Sequence, residues 1–214
     1  MADTSGRPRQ LSRRAVLQIG AGTGLAVAAG TLGARRRSAR AGGPTIRWDI
    51  VSLRPDGAGA GLFPGGEASA RAISGERITF TGSGTFIPDV PTTVTGGGTA
   101  VVRSPDGAVL FNLTFQVTRL LFWQQAPGSL PSASAGGPVD HIADSANAHS
   151  GLAILAIDLS DGNKGTLTVS CDLPVGTPNQ IFEGIVANHA FAFFFDREAP
   201  QDGVDANRTV FHEV

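Results

Sequence analysis

Sulfur-containing residues are scarce in this 214-residue chain, which has one cysteine, Cys171, and one methionine. A single cysteine excludes an internal disulfide and any metal centre built from several cysteines. The motifs of several common enzyme classes are also missing from the sequence. It has no Gly-x-Ser-x-Gly elbow, phosphate-binding loop, dinucleotide fingerprint or His-Glu-x-x-His pair. The sequence therefore predicts no cofactor.

Positive charge is scarce beyond residue 41. The whole chain has a formal net charge of −1, but residues 1–41 carry eight arginines and one aspartate, a net +7 that leaves −8 for residues 42–214. A domain this acidic has no electrostatic footprint for nucleic acid or for an anionic lipid surface. Nucleic acid is therefore not an expected partner.

Long apolar runs are scarce as well. The run from Ala15 to Leu32 is diluted by four glycines and barely reaches the roughly 18 residues of a membrane-spanning helix, so a permanent membrane anchor is disfavoured. The arginine pair Arg13-Arg14 precedes this run, and Ala39-Arg40-Ala41 follows it. This layout is typical of a bacterial twin-arginine (Tat) signal peptide. It predicts export by the twin-arginine translocation machinery to the periplasm, cell surface or medium, with cleavage after Ala41.

Residues 42–214 are predicted to form a single all-β domain. Short runs of alternating apolar residues are separated by glycine- and proline-rich turns, and no α-helical periodicity is convincing. The clearest strand places five apolar residues on one face: Val109, Phe111, Leu113, Phe115 and Val117. The nearly continuous apolar run from Gly151 to Leu159 predicts a strand covered on both faces. About eight antiparallel strands result, arranged as a β-sandwich or a small β-barrel.

Cys171 shares one face of a predicted strand with Leu167 and Val169. This position predicts a small buried core residue rather than a reactive thiol.

The first candidate site is a metal site in the segment from Asp140 to His149. Asp140, His141, Asp144 and His149 bring carboxylates and imidazoles within ten residues, and both groups are common ligands of divalent metals. Their spacing matches no standard zinc or calcium motif. The alternative interpretation is a polar loop whose side chains only stabilise turns.

The second candidate site is an acid–base pair formed by Glu183 and His189. If residues 181–195 form one extended strand, both side chains lie on the same face among apolar neighbours. Burial there would shift their pKa values toward the range useful for catalysis. The alternative is a surface glutamate with a structural histidine, because a turn at Gly184 or at Asn188 would change which face each side chain occupies.

Charged residues near the C-terminus have a structural interpretation. Asp196-Arg197-Glu198 and the segment from Asp205 to Arg208 mix both signs in a turn-rich region. This pattern predicts ion pairs that hold a terminal strand, with Asn207 or Asp205 forming local bonds to the backbone.

Four segments of the chain resemble a group of uncharacterised bacterial exported proteins: residues 78–86, 173–178, 181–185 and 203–209. The resemblance covers most of residues 42–214. The group has no established activity, so the resemblance implies no catalytic or binding residue. A second similarity, carried by the glycine- and threonine-rich texture of the strands, is to small barrels of the allene oxide cyclase type.

Two functions are consistent with these features. The first is an exported, non-enzymatic binding or surface-associated protein, in which the phenylalanine-rich segment near residue 193 and the glycine-rich loops line a pocket for a small apolar ligand. The alternative interpretation of these phenylalanines is that they fill the core. The second is a small hydrolase or isomerase that uses Glu183 and His189 as acid and base.

Overall fold

The described part of the chain is all-β. The computed structural model describes residues 42–57 and 59–214, which contain thirteen strands in one mixed sheet and no α-helix. The predicted signal pair, Arg13 and Arg14, and the predicted cleavage site at Ala41 lie outside the described residues. Within the described residues, no helix has the length and apolar character needed to cross a membrane.

The strands follow one another with short connections. In chain order they are β1 (Ile46–Asp56), β2 (Gly59–Pro64), β3 (Ala68–Arg71), β4 (Arg77–Ile87), β5 (Val90–Val94), β6 (Gly97–Arg103), β7 (Val109–Ala126), β8 (Val139–Asp140), β9 (Ala148–Leu159), β10 (Lys164–Cys171), β11 (Gly184–His189), β12 (Phe193–Arg197) and β13 (Gly203–Glu213). Two single-turn 3₁₀ helices, Ala133–Ala135 and Ser145–Asn147, lie between β7 and β9.

Strand pairing is antiparallel throughout the described sheet, except that β2 and β8 are parallel. Neighbours follow the order β10-β11-β12-β3-β4-β6-β7-β9-β13-β1-β2-β8, and β5 pairs with β4. In addition, β9 pairs with β10, and the second half of β4 pairs with β1.

The number of strands is larger than the predicted eight for two reasons. The apolar run from residue 181 to residue 196 is divided into β11 and β12 by a tight turn. The short strands β5 and β8 show no apolar alternation, because they pair along one edge only; Pro91 is tolerated in β5 for the same reason.

The core is built from the inward face of most strands and contains the large fully buried side chains Trp48, Phe80, Phe86 and Phe211. On β7, the predicted inward face is confirmed for Leu113, Phe115 and Val117, which are buried. Val109 and Phe111, on the same strand, are about half exposed because the start of β7 extends past the core.

Two further core predictions have different outcomes. Cys171 is completely buried, as predicted, and burial raises the pKa of its thiol. The prediction that β9 is covered on both faces is wrong. Its positions alternate between buried residues such as Leu155 and half-buried residues such as Ile154, so only one face belongs to the core.

Four hairpin turns lie together at one end of the sheet. They connect β3 to β4, β6 to β7, β9 to β10 and β11 to β12, and span residues 72–76, 104–108, 160–163 and 190–192. Because each strand runs opposite to its neighbour along the order β10-β11-β12-β3-β4-β6-β7-β9, all four turns fall on the same side. We call this side the hairpin end.

Candidate functional site

A small apolar pocket opens at the hairpin end. Its volume is 130 Å³, and its walls are Ala72, Glu76, Val102, Leu110, Phe111, His189, Phe193 and Phe195. Val102 and Phe195 belong to the buried core and form the floor, whereas Leu110, Phe111 and Phe193 are 47–61% exposed and form the rim. The pocket is therefore an opening in the apolar core that is bordered by large exposed apolar side chains.

The turn between β11 and β12 places two of these residues across from each other. Ala190 and Phe191 both have positive φ angles, 56° and 54°, and the amide of Ala192 donates to the carbonyl of His189 over 3.2 Å. The chain reverses there, so that His189 pairs with Phe193. Residues 181–195 therefore do not form the single extended strand on which the pairing of Glu183 with His189 depended; the turn follows Asn188-His189, one of the two places where the sequence allowed a break.

His189 is the buried polar group in the pocket wall. Its Nε2 lies 2.7 Å from Oδ2 of Asp161, and its ring lies 5.9 Å from the ring of Phe111 and 6.1 Å from that of Phe193. Burial opposes ionisation of Asp161, but hydrogen bonds from Asn163 and His189 outweigh it and lower the pKa of Asp161 to about 2. An ionised aspartate thus orients the imidazole ring.

Glu183 lies at a different place in the fold. Its two carboxylate oxygens accept hydrogen bonds from the backbone amides of Asp172 and Thr209, each over 2.6 Å, beside a second cavity of 170 Å³ whose wall includes Arg208. Burial raises the pKa of Glu183 to about 8, although the two amide hydrogen bonds act in the opposite direction.

The structure does not bring Glu183 and His189 together. Both are buried and face inward, as the alternation predicts, but six residues of extended chain separate them by about 20 Å. They line different cavities and share no hydrogen-bonding partner. A proton transfer that involves both side chains on one small substrate is therefore not supported by the geometry.

The predicted metal site is not formed, because each of its four side chains binds a different partner. His141 lies 2.8 Å from Asp56 and stacks on Phe63, whereas Asp144 accepts a hydrogen bond from the amide of Ala146 at the start of a 3₁₀ helix. The other two, Asp140 and His149, contact His212 and Glu213, respectively, on β13. Within residues 42–57 and 59–214, no group of three or more histidine, cysteine, aspartate or glutamate side chains could hold a metal ion.

Asp140 instead belongs to a buried pair that the sequence did not indicate. Its Oδ2 lies 2.8 Å from Nε2 of His212, and both side chains are almost completely buried. Burial opposes ionisation of Asp140, but hydrogen bonds from His212 and from the amides of Ile142 and Ala143 keep its pKa below the ordinary value. This pair attaches the segment before β9 to the terminal strand and has a structural role.

The predicted ion pairs near the C-terminus are present. The carboxylate of Glu198 bridges Arg71 and Arg77, and Arg77 also contacts Asp205 over 2.7 Å. Asn207 accepts from the amide of Ser69 over 2.7 Å and donates to the carbonyl of Ala199 over 2.8 Å. These contacts hold β13 against β3 and β4, as the predicted ion pairs require. The expected local backbone bonds are not formed, because Asn207 bonds to Ser69 on β3 and to Ala199 before β13.

The sequence reasoning missed most of the pocket. It named His189 and the phenylalanines near residue 193, but not Leu110, Glu76 or the orienting residue Asp161. One available signal was Leu110, which is apolar on the face of the predicted strand where Asn112 and Thr114 are polar.

Comparison with known proteins gives no guide to this site, because no protein-family model, curated protein or solved structure matches the chain.

Proposed function

We propose that the protein is an exported, non-enzymatic binding domain that holds a small apolar ligand at the hairpin end. The observation that carries the proposal is the pocket bordered by Leu110, Phe111 and Phe193, whose large apolar side chains are extensively exposed. Large apolar side chains around a concave site gain free energy when a ligand removes them from water.

We also propose that the sheet is a closed barrel whose mouth is this pocket. The pairings support closure: from β10 through β11, β12, β3, β4, β6, β7 and β9, each strand pairs with the next, and β9 pairs with β10 again. Eight-stranded barrels have an interior that side chains nearly fill, with room for at most one small ligand.

The volume of the pocket limits the ligand. An apolar cavity of about 150 Å³ binds benzene, so the 130 Å³ here accommodates a single ring or the end of a longer apolar chain. His189 provides one polar contact in the wall, held in place by Asp161. We infer a ligand with an apolar body and at most one hydrogen-bonding group near this histidine.

The ligand proposal is tested by native mass spectrometry and by titration with fluorobenzene. The protein recovered from the exported fraction is expected to carry a retained small molecule, or to bind fluorobenzene with amide NMR shifts confined to the residues around the pocket. The absence of both would refute the proposal.

A matched pair of variants makes the test specific. Phe193 and Phe194 are adjacent on β12 and similarly exposed, at 61% and 66%, but Phe193 lines the pocket and Phe194 does not. Phe193→Ser is expected to weaken fluorobenzene binding about tenfold because it removes apolar contact area. Phe194→Ser is expected to bind as the parent does; equal losses in both variants would contradict a specific pocket.

Export is a separate part of the proposal and rests on the Arg13-Arg14 pattern with its apolar run and the small residue Ala41. Replacement of both Arg13 and Arg14 by lysine is expected to abolish export in a bacterial host with a twin-arginine system. Lysine at Arg36 and Arg37 serves as the control and is expected to leave export intact. Mass spectrometry of the exported protein is expected to identify Gly42 as its first residue.

The alternative function, a small hydrolase or isomerase that uses Glu183 and His189, has weaker support because the two side chains lie in separate cavities. The two functions differ in one measurable respect. Under the binding proposal, Glu183→Gln leaves fluorobenzene binding unchanged; an enzyme that uses both residues would lose activity in this variant and in His189→Gln alike.

A further inference from the structure

Exposed apolar side chains lie in or directly beside three of the four turns at the hairpin end. Ile73, in the turn between β3 and β4, is fully exposed, and Phe191, in the turn between β11 and β12, is 60% exposed. Val109 follows the turn between β6 and β7 and is about half exposed. We call Ile73, Val109 and Phe191 the apolar tips. None of them lines the pocket.

Phe191 also has a backbone conformation that is unfavourable in free energy. Its φ angle of 54° lies in the left-handed region, which glycine and asparagine adopt readily and which is unfavourable for a bulky residue. A turn optimised only for folding in water would carry asparagine or glycine there. Folding alone therefore does not explain a phenylalanine at this position, and we infer that its side chain acts at the protein surface.

Charged side chains form a row immediately behind the tips. Arg71, Arg77 and Arg103 are cross-strand neighbours at the ends of β3, β4 and β6 that face the hairpin end. Carboxylates of Glu198 and Asp205 pair with Arg71 and Arg77. An apolar layer at the tips is thus followed by a layer in which guanidinium and carboxylate groups alternate.

We propose that the hairpin end docks reversibly on a zwitterionic lipid bilayer, with Ile73, Val109 and Phe191 inserted below the headgroups. The layered order matches the bilayer surface, because apolar side chains enter the acyl boundary while the exposed guanidinium groups of Arg71 and Arg103 meet headgroup phosphates. The net charge of −8 on residues 42–214 opposes binding to an anionic membrane.

A bilayer fits these tips better than a second copy of the chain does. The tips belong to three separate hairpins, and polar residues such as Ser74 and Asp106 share their turns. A fluid lipid surface accommodates separate protrusions, whereas a protein interface requires a continuous, complementary patch. The proposal goes beyond ligand binding and does not depend on it.

Vesicle flotation of the exported protein tests the docking. The parent is expected to float with phosphatidylcholine vesicles, and added phosphatidylglycerol is expected to weaken rather than strengthen its binding. Ile73→Asp and Phe191→Asn are each expected to lower the partition coefficient about tenfold, since each removes one inserted apolar side chain. Asparagine suits the left-handed conformation at residue 191, so this variant is expected to fold.

The control variant is Val175→Asp. Val175 is 50% exposed and lies beyond the end of β10, on the side opposite the hairpin end. It is expected to float as the parent does.

Three outcomes would overturn the proposal: no flotation of the parent, equal flotation of the parent and both tip variants, or flotation only with anionic lipid. Light scattering that detects a dimer in the parent and not in Ile73→Asp, without flotation of either, would assign the tips to self-association instead. Fluorobenzene binding is expected to persist in both tip variants, so failure of docking and failure of the pocket proposal are distinguishable.

Discussion

The buried carboxyl group of Glu183 makes stability depend on pH in a direction opposite to that of most carboxylates. Burial raises its pKa from 4.5 to about 8, so the folded protein holds a proton there that the unfolded chain has released. Between these two values the unfolded chain binds fewer protons. The free energy of unfolding is therefore expected to fall as the pH rises through this window.

The size of the effect follows from the shift. Each unit of pKa difference corresponds to about 1.4 kcal/mol, so the interval from 4.5 to about 8 sets an upper limit of about 5 kcal/mol. Glu183→Gln keeps the shape of the side chain and removes the titration. Its amide has one oxygen where the carboxyl has two, so one of the amides of Asp172 and Thr209 loses its acceptor, at a cost of about 2 kcal/mol at every pH.

Urea unfolding of the parent and of Glu183→Gln across this pH range measures the difference directly. The variant is expected to be less stable than the parent at about pH 5, and the gap is expected to close and then reverse by about pH 9. Glu76→Gln is the control. The hydrogen bond from Ser74 lowers the pKa of Glu76, so this carboxylate stays ionised across the range, and the difference in stability between this variant and the parent is expected to stay constant. A constant gap for Glu183→Gln would refute the raised pKa.

Substitutions at three further residues test structural contacts by urea unfolding. Asn207→Ala removes two hydrogen bonds at a residue with a φ of 50° and is expected to lower the free energy of unfolding by about 3 kcal/mol. Asn207→Gly is expected to lie between Asn207→Ala and the parent, because glycine relieves the backbone strain but does not restore the hydrogen bonds. Asp140→Ala leaves His212 buried without its partner and is expected to lower the free energy of unfolding by about 3 kcal/mol. A loss near zero would show that Asp140 and His212 are not bonded to each other in solution. Gly84→Ala would place a methyl group 2.2 Å from the carbonyl oxygen of Thr95, so we expect a loss of about 3 kcal/mol; unchanged stability would contradict this packing.

Sequence patterns predicted the local features of the fold well. The alternation in β7 identified the core positions Leu113, Phe115 and Val117, and the parity of β10 identified Cys171 as buried. These predictions succeed because the face that a side chain occupies depends on a period of two along one strand.

The site predictions failed where they depended on contacts between distant strands. Asp140, His141, Asp144 and His149 are close in sequence, but three of them bind partners elsewhere: His212, Asp56 and Glu213. Asp144 bonds locally. Closeness in sequence was therefore a poor guide to closeness in space, because side chains on opposite faces or on a curved segment meet different neighbours.

The sequence by itself determined the strand character of residues 42–214, the buried state of Cys171, the charge of the domain and the pattern that predicts export. Each of these properties depends on composition or on neighbours within a few residues. The tertiary structure alone decided that Phe111 and Phe193 meet beside His189, that Glu183 lies in a separate cavity, and that Ile73 and Phe191 project from the same end. Those arrangements depend on which strands pair and in what register, and pairing is set by packing across the whole sheet rather than by any one segment.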